Sequence, residues 1–134
     1  MLNFCSLYSG STGNSLFIEN EKTKILIDAG VSAKKILTGL KTVNTNIQEI
    51  DAILVTHEHS DHIRSLGAIS GKYNIPVYAT SETWSVLEEC KLKISGENQK
   101  SFAIDKPFKI NDIDIMGFEL PHDAINPCRF YFYI

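Results

Sequence analysis

The sequence has little of what marks a secreted, membrane-bound or strongly cationic protein. Its cysteines, Cys5, Cys90 and Cys128, are odd in number and far apart, which favours reduced thiols over a disulfide framework. The first residues form neither a basic region nor a long apolar stretch, so we expect neither a signal peptide nor a membrane span. A formal net charge of −3 excludes an overall cationic surface, although a local basic patch is compatible with it. Together these absences predict a cytoplasmic protein.

The remaining composition is that of an ordinary globular domain. Hydrophobic residues make up 43% of the chain and charged residues 22%, and no repeat, low-complexity tract or linker interrupts it. A length of 134 residues suits one domain with its own hydrophobic core. We therefore expect a single domain over residues 1–134.

Short apolar runs alternate with segments of helical periodicity along the chain. Strands are predicted at residues 2–8, 15–19, 24–28, 51–55, 76–79, 102–104, 108–110 and 113–120, helices at residues 32–42, 61–73 and 81–90, and a loop at residues 96–101. Ser32 and Ser81 are the predicted N-caps of the first and third helices, and Asn111-Asp112 is a predicted hairpin turn. This order of elements is typical of an α/β fold in which helices cover a sheet.

Three of the four histidines lie within residues 57–62, with an aspartate between the second and the third. Neutral imidazole and carboxylate are ligands that Zn²⁺ and its first-row neighbours prefer. His57 and His59 are two apart, so on extended backbone they project to one side and can share one metal. Asp61 and His62 point away from that pair and can serve a second metal. The alternative is a polar loop with unrelated histidines, which is disfavoured because chance rarely concentrates so few histidines in this way.

The residues before this motif place it at the end of a strand. Residues 51–55 are an apolar run rich in branched side chains, which indicates a buried strand, and they lead directly into Thr56. Open α/β folds hold their sites at the carboxyl ends of such strands. A helix starting here, with Ser60 or Asp61 as its N-cap, would hold the carboxylate and the imidazole at a rigid terminus.

The pattern His-x-His-x-Asp-His after an apolar strand resembles the metallo-β-lactamase superfamily. With Ser-Gly-Ser-Thr-Gly-Asn at residues 9–14, it resembles the YycJ/WalJ-like branch in particular. The resemblance implies a four-layer αββα sandwich of two similar halves, of which this chain is the amino-terminal half, a mixed sheet with helices on one face. A metal-bridging aspartate and a final histidine would come from the second half and have no counterpart here. The chain is then a fragment of a longer chain or a truncated gene product.

The resemblance also assigns roles to individual residues. His122 would be the third ligand of the site formed by His57 and His59, although a histidine after a strand is by itself more often incidental. Asp28 would brace the histidine loop without binding metal, and Thr56 is assigned the same supporting role. A simple turn residue is the alternative interpretation of Asp28.

The small-residue loop at residues 9–14 lies near the metal cleft in this family. Its backbone N–H groups would then meet an anionic substrate, with Ser11 and Asn14 as candidate substrate-binding residues. A plain hairpin connection explains the loop at least as well. Arg129 stands where the family usually has glycine.

The chemistry implied by the resemblance is metal-assisted hydrolysis. Two divalent ions, Zn²⁺ or alternatively Mn²⁺ or Fe, would lower the pKa of a bridging water that attacks an ester, amide or phosphorus centre, and Asp61 would orient that water. Because the YycJ-like branch is associated with DNA exonuclease activity, a phosphodiester in DNA is the expected substrate of the complete protein. A small-molecule ester or thioester hydrolase and a catalytically inactive metal-binding fragment are the alternatives.

A half sandwich leaves a packing problem. Helices can cover only one face of the sheet, so the other face and the apolar end at residues 130–134 are expected to be exposed. A homodimer that joins two copies sheet to sheet, or the missing second half, would cover them. The alternative is that the strands of residues 102–120 fold back over the first sheet.

Overall fold

The computed structural model describes residues 2–119 and 128–133. The strands are β1 Asn3–Tyr8, β2 Ser15–Glu19, β3 Lys24–Ile27, β4 Ala52–Leu54, β5 Val77–Ala79, β6 Gln99–Ser101, β7 Phe108–Ile110, β8 Ile113–Glu119 and β9 Cys128–Tyr133. The helices are α1 Ala33–Thr42, α2 Ser60–Ile63, α3 Leu66–Tyr73 and α4 Ser81–Glu89, with 3-10 turns at Ile47–Glu49 and Gly96–Asn98. Over these residues, no helix is both long and apolar enough to cross a membrane.

The first sheet is mixed, as predicted, with the strand order β1-β2-β3-β4-β5-β6. β1, β2 and β3 pair antiparallel, whereas β3, β4, β5 and β6 run parallel. Parallel neighbours need long crossovers, and the helices α1 to α4 supply them. Their buried residues, such as Ile36, Leu40 and Leu87, pack with Leu26 and Ile53 of the sheet in one helix-side core. The helices therefore cover one face.

The second sheet, of order β7-β8-β9, covers the opposite face. Alternate residues of β8, Ile113 and Ile115, are completely buried, and Phe132 of β9 packs in the same core. The first sheet contributes the apolar residues Ile18, Ile25, Ile27, Ala52 and Leu54 to this core. The expectation that this face is exposed, with an unpaired terminal strand, is therefore wrong. The later strands fold back over the first sheet.

Asp112, in the hairpin turn between β7 and β8, fastens the two sheets together. Its carboxylate accepts hydrogen bonds from Asn20 Nδ2 and Thr23 Oγ1, each at 2.9 Å. These bonds hold the pKa of Asp112 below its usual range because they favour the charged carboxylate. The preceding residue, Asn111, has a φ of 52°, a left-handed conformation that asparagine tolerates. The predicted turn is confirmed.

Exposed apolar side chains lie on the outer face of the second sheet and at one edge of the first sheet. Tyr131 is 54% exposed and Tyr133 is 44% exposed. Phe118 stacks on Tyr131 with ring centroids 4.4 Å apart, and Met116 pairs with Tyr131 in register. Phe4 and Leu16, which are 61% and 38% exposed, lie on the same side of the first sheet as Ile18, at its β1–β2 edge. A homodimer or a second half that covers these surfaces stays a prediction.

The helix predicted for residues 61–73 is divided into α2 and α3 at Arg64 and Ser65. The loop after β3 causes the break. Ala29 donates its N–H to the carbonyl of His62 at 2.9 Å, and Ser65 donates its N–H to the carbonyl of Ala29 at 2.9 Å. These groups are bonded to a neighbouring loop instead of to the next helical turn. The break therefore holds the end of the histidine motif against the loop after β3.

Three predicted helix starts have different outcomes. Ser32 caps α1 as predicted, its side chain accepting from a backbone N–H of the first turn. The N-cap of α2 is His59, without a side-chain hydrogen bond, and neither Ser60 nor Asp61 takes that position. Thr80 caps α4 in place of Ser81, because its side chain, one residue earlier, reaches the free N–H of the first turn.

Two predictions near residue 100 are wrong. The loop predicted at residues 96–101 contains β6, which pairs parallel with β5. The strand predicted at residues 102–104 is not a strand, and Phe102 stacks on Phe108 with ring centroids 5.0 Å apart. The apolar character of Phe102 therefore reflects burial against β7 rather than strand pairing.

Packing between the sheets is tested by adjacent residues of β8. We expect Ile115→Ala to lower the free energy of unfolding by about 2–5 kcal/mol, because Ile115 is completely buried between the sheets. Met116→Ala, on the outer face of the same strand, should cost about 1 kcal/mol. Urea unfolding followed by circular dichroism measures both. Equal costs would show that Ile115 does not lie in an inter-sheet core.

Candidate metal centre

A cleft of about 520 Å³ opens where β4 ends and the histidine motif begins. The described residues that line it come from the first hairpin, the end of β3, the motif and β9, namely Tyr8, Ser9, Gly10, Ser11, Asn14, Leu16, Ile27, Asp28, Thr56, His57, Asp61, His62 and Arg129. Ser11 thus lies at the cleft, as its predicted role requires. The cleft also contains Tyr8 and Arg129, to which the sequence analysis assigned no functional role. The only signal for Arg129 was that the family usually has glycine at that position.

The carboxylate of Asp28 joins the end of β3 to the motif. Its Oδ1 accepts from the Thr56 N–H at 2.8 Å, and its Oδ2 accepts from the Thr56 hydroxyl at 2.7 Å. The same Oδ2 lies 2.6 Å from Nδ1 of His62. Asp28 is only 3% exposed, so a carboxylate there needs these donors. The contacts are those that a bracing residue would make.

This network determines which ring nitrogens carry protons. Because a carboxylate only accepts, His62 donates Nδ1–H to Asp28, and its Nε2 is left with a lone pair. The Thr56 hydroxyl donates to Asp28, so it accepts from Nδ1–H of His57, 2.9 Å away. His57 Nε2 then also carries a lone pair. Both imidazoles therefore have one nitrogen in the state that a metal requires.

The His57 ring is also held in its neutral form. Burial lowers the pKa of His57 below its usual range, because a charged imidazolium would lose its hydration there. A lowered pKa favours neutral imidazole near pH 7, and the neutral ring is the form that binds a metal. The environment of His57 thus favours coordination over a positive charge.

The three histidine rings of the motif lie together, with Asp61 beside them. The ring centroids of His57 and His59 are 4.6 Å apart, and those of His57 and His62 are 3.9 Å apart. Asp61 Oδ2 lies 3.5 Å from His62 Nε2. The residues predicted to divide between two metals therefore form one contiguous group.

The described residues contain no group of three or more His, Cys, Asp or Glu side chains arranged to hold a metal ion. The rings pack against one another instead, as the centroid distance of 3.9 Å between His57 and His62 indicates. His122, the predicted third ligand of the first site, lies outside the described residues. The donor chemistry nevertheless fits a divalent ion, because two imidazole lone pairs and the Asp61 carboxylate lie at one end of the cleft.

Gly30 lets the backbone of the motif approach the loop after β3. A Cβ at residue 30 would overlap the carbonyl oxygen of Asp61, so no side chain is tolerated there. That carbonyl accepts from the N–H of Asn14 at 2.8 Å, and Gly30 donates its own N–H to the carbonyl of Asn14 at 2.9 Å. Three chain segments therefore meet at Asp61, which explains the glycine after Asp28-Ala29.

Two curated proteins are similar to nearly the whole chain. Exodeoxyribonuclease WalJ from Streptococcus pneumoniae serotype 2 is 43% identical over 127 residues, which cover 93% of this chain and 47% of that protein. Exodeoxyribonuclease YycJ from Bacillus anthracis is 39% identical over 132 residues, which cover 98% of this chain and 50% of that protein. The chain thus spans about half the length of these relatives.

A solved structure shares the fold at low sequence identity. The class B3 di-zinc metallo-beta-lactamase LRA-12, from an Alaskan soil metagenome, superposes with a TM-score of 0.75 at 14% identity, over 90% of this chain and 52% of that one. The two sheets and the helices on one face are therefore those of a metallo-beta-lactamase fold.

The family model described as the metallo-beta-lactamase superfamily matches residues 8–128, which include the whole histidine motif and the strands β2 to β8. The match agrees with the relatives and with the fold. The chain belongs to the metallo-beta-lactamase superfamily.

Proposed function

We propose that the complete protein is a metal-dependent hydrolase that cleaves phosphodiester bonds in DNA as an exonuclease. One observation carries the proposal: the Asp28–Thr56 network leaves Nε2 of both His57 and His62 with a lone pair beside Asp61. The relatives named exodeoxyribonucleases, at 43% and 39% identity, support the choice of DNA.

Divalent metal ions are part of this proposal. His57, His59 and His122 would hold one ion, and Asp61 and His62 would contribute to a second. Zn²⁺ is the expected metal, with Mn²⁺ or Fe as alternatives, and a structure of the same fold is described as di-zinc. When bound, such ions lower the pKa of a water and stabilise negative charge on a phosphate oxygen.

The residues of the chain would prepare the site for this chemistry. Asp28 keeps the proton of His62 on Nδ1, and Thr56 does the same for His57. The Asp61 side chain is 33% exposed at the cleft, so its carboxylate can accept a proton from the attacking water and orient it. Arg129 places a guanidinium among the lining residues, where a phosphate oxygen would accept from it.

Two other functions remain as alternatives to be tested. A small-molecule ester or thioester hydrolase would use the same metal-binding residues, since the fold does not determine the substrate. A catalytically inactive metal-binding fragment would bind at most one ion well.

A cytoplasmic location also stays a prediction, consistent with the free thiols of Cys5 and Cys90.

The function is tested by comparing this chain with one extended past residue 134 to the length of the relatives. We expect the longer chain to degrade linear DNA, and the chain of 134 residues to be a poor catalyst. The reason is that Asp61 and His62 alone supply the second site, and two ligands rarely hold a divalent ion. Release of nucleotides at several salt concentrations measures the activity. Hydrolysis of a thioester but not of DNA would favour the small-molecule enzyme, and equal turnover by both chains would contradict the need for further ligands.

The predicted ligands are tested by metal content. We expect His57→Ala or His59→Ala to abolish retention of zinc, because either leaves the first site with two protein ligands. His122→Ala should have the same effect if that residue is the third ligand. Glu58→Ala is the matched control, since it lies between the two histidines and is not a predicted ligand. Mass spectrometry of the purified variants measures the zinc, and unchanged content in His122→Ala would remove that residue from the site.

The bracing role of Asp28 is tested by Asp28→Asn. An amide offers one acceptor oxygen, so it cannot accept from both the Thr56 N–H and His62 Nδ1–H. We expect metal affinity to fall by about 10–100-fold, measured by competition with a chromophoric chelator. Asp51→Asn is the control, because Asp51 accepts from the Lys24 N–H at the opposite end of β3. Equal losses in both variants would assign Asp28 no particular role in the site.

A further inference from the structure

Both polar atoms of the Asn14 side chain, Oδ1 and Nδ2, form hydrogen bonds. Nδ2 lies 2.9 Å from the carbonyl oxygen of Gly10, and Oδ1 accepts from the N–H of Gly10 at 3.1 Å. Nδ2 also lies 3.1 Å from Oδ2 of Asp61 and 3.2 Å from the carbonyl oxygen of Asp61. His62 Nε2 is 3.3 Å away. One amide therefore connects the loop of residues 9–14 to two predicted metal ligands.

We propose that Asn14 is a positioning residue that aims the carboxylate of Asp61, and not a substrate-binding residue. The inference rests on the proposed function, because it concerns how the proposed second metal site is shaped. Asn14 bonds Oδ2 of Asp61, and the described residues form no hydrogen bond with the other carboxylate oxygen. The amide thereby fixes the rotation of the carboxylate and leaves Oδ1 available for an ion or a water.

The hydrogen-bonding capacity of an amide argues against substrate binding by Asn14. An asparagine has two N–H donors, and one of them is committed to the carbonyl of Gly10 at 2.9 Å. The second is shared between the carboxylate and the carbonyl of Asp61. No donor is then left for a phosphate, and Asn14 could bind a substrate only if its bonds to Gly10 or Asp61 broke.

A purely structural role for Asn14 is the competing explanation. The two bonds between its side chain and Gly10 already close the loop, and would do so without Asp61. The contact with the Asp61 carboxylate is additional and does not contribute to loop closure. An experiment must therefore separate loss of loop stability from loss of carboxylate orientation.

The chain contains a matched control for this purpose. Asn20 also accepts from backbone N–H groups of its own turn, those of Lys22 at 2.9 Å and Thr23 at 2.8 Å. Its Nδ2 likewise donates to a carboxylate, that of Asp112, at 2.9 Å. Asn20→Ala and Asn14→Ala therefore make the same chemical change, the loss of an amide that donates to a carboxylate. Only Asn14 faces the predicted metal ligands.

The test compares these variants in the complete protein, with Co²⁺ as the probe. We expect Asn14→Ala to weaken binding of the second Co²⁺ ion by about 10–100-fold and to change its visible absorption spectrum, because the amide no longer fixes the carboxylate of Asp61. Asn20→Ala should lower the melting temperature of the metal-free protein but leave both the affinity and the spectrum unchanged. Asn14→Ser also lacks the amide, so it decides the question if Asn14→Ala does not fold.

The outcomes distinguish this inference from the proposed function. If the Asn14 variants bind Co²⁺ with unchanged affinity and spectrum, Asn14 only closes the loop and the inference is overturned. If they lose affinity while the unaltered protein cleaves a thioester and not DNA, the positioning role stands and the proposed substrate is wrong. If DNA cleavage is present and falls in kcat but not in KM for Asn14→Ala, both are supported, because a residue that contacts substrate would change KM.

Discussion

The buried carboxylate of Asp28 is the group on which the geometry of the candidate site depends. Transfer of a carboxylate from water to the interior is costly unless hydrogen bonds replace its hydration. Among the described residues, the donors that reach its two oxygens come from Thr56 and His62. Asp28 is therefore well solvated by the protein only when the motif has its observed conformation. Formation of the sheet and arrangement of the histidines are in this way coupled.

Close backbone contacts also hold the motif, in addition to the hydrogen bonds of the Asp28 carboxylate. Gly30 approaches the carbonyl of Asp61 too closely for any side chain, and Ala29 bonds the carbonyl of His62. The hydrogen bond from Ala29 to the His62 carbonyl also ends α2 after one turn, because that carbonyl no longer accepts from the next helical turn. A short helix that looks weak by local propensity is thus held at its end by the loop after β3. Rigidity at Asp61 and His62 comes from tertiary contacts and not from helix length.

Much of the fold could be predicted from the sequence because local patterns determine it. The branched apolar run ending at Val55 indicates a strand buried on both faces, and Asn111-Asp112 indicates a hairpin. The division of the helix at Ser65 could not be predicted, because it arises from a hydrogen bond to Ala29, thirty-six positions away in the chain. The prediction that the second face of the first sheet is exposed was wrong for the same reason, since only tertiary packing shows that β7 to β9 cover it. Alternation in β8 shows that Ile113 and Ile115 share a face, but not which sheet they pack against.

The candidate site shows the same limit. Spacing alone groups the histidines with Asp61, and the family resemblance suggests a bracing Asp28. Neither indicates that Asn14 bonds the Asp61 carboxylate, because the two residues are far apart in sequence and the loop of residues 9–14 reads equally well as a simple turn. The two aspartates also differ in environment, with side-chain exposures of 5% for Asp28 and 33% for Asp61. The carboxylate of Asp28 has both oxygens bonded to protein, which suits it to orient ligands. Asp61 reaches the cleft and, among the described residues, has one carboxylate oxygen without a hydrogen bond, which is why the reacting role is proposed for Asp61.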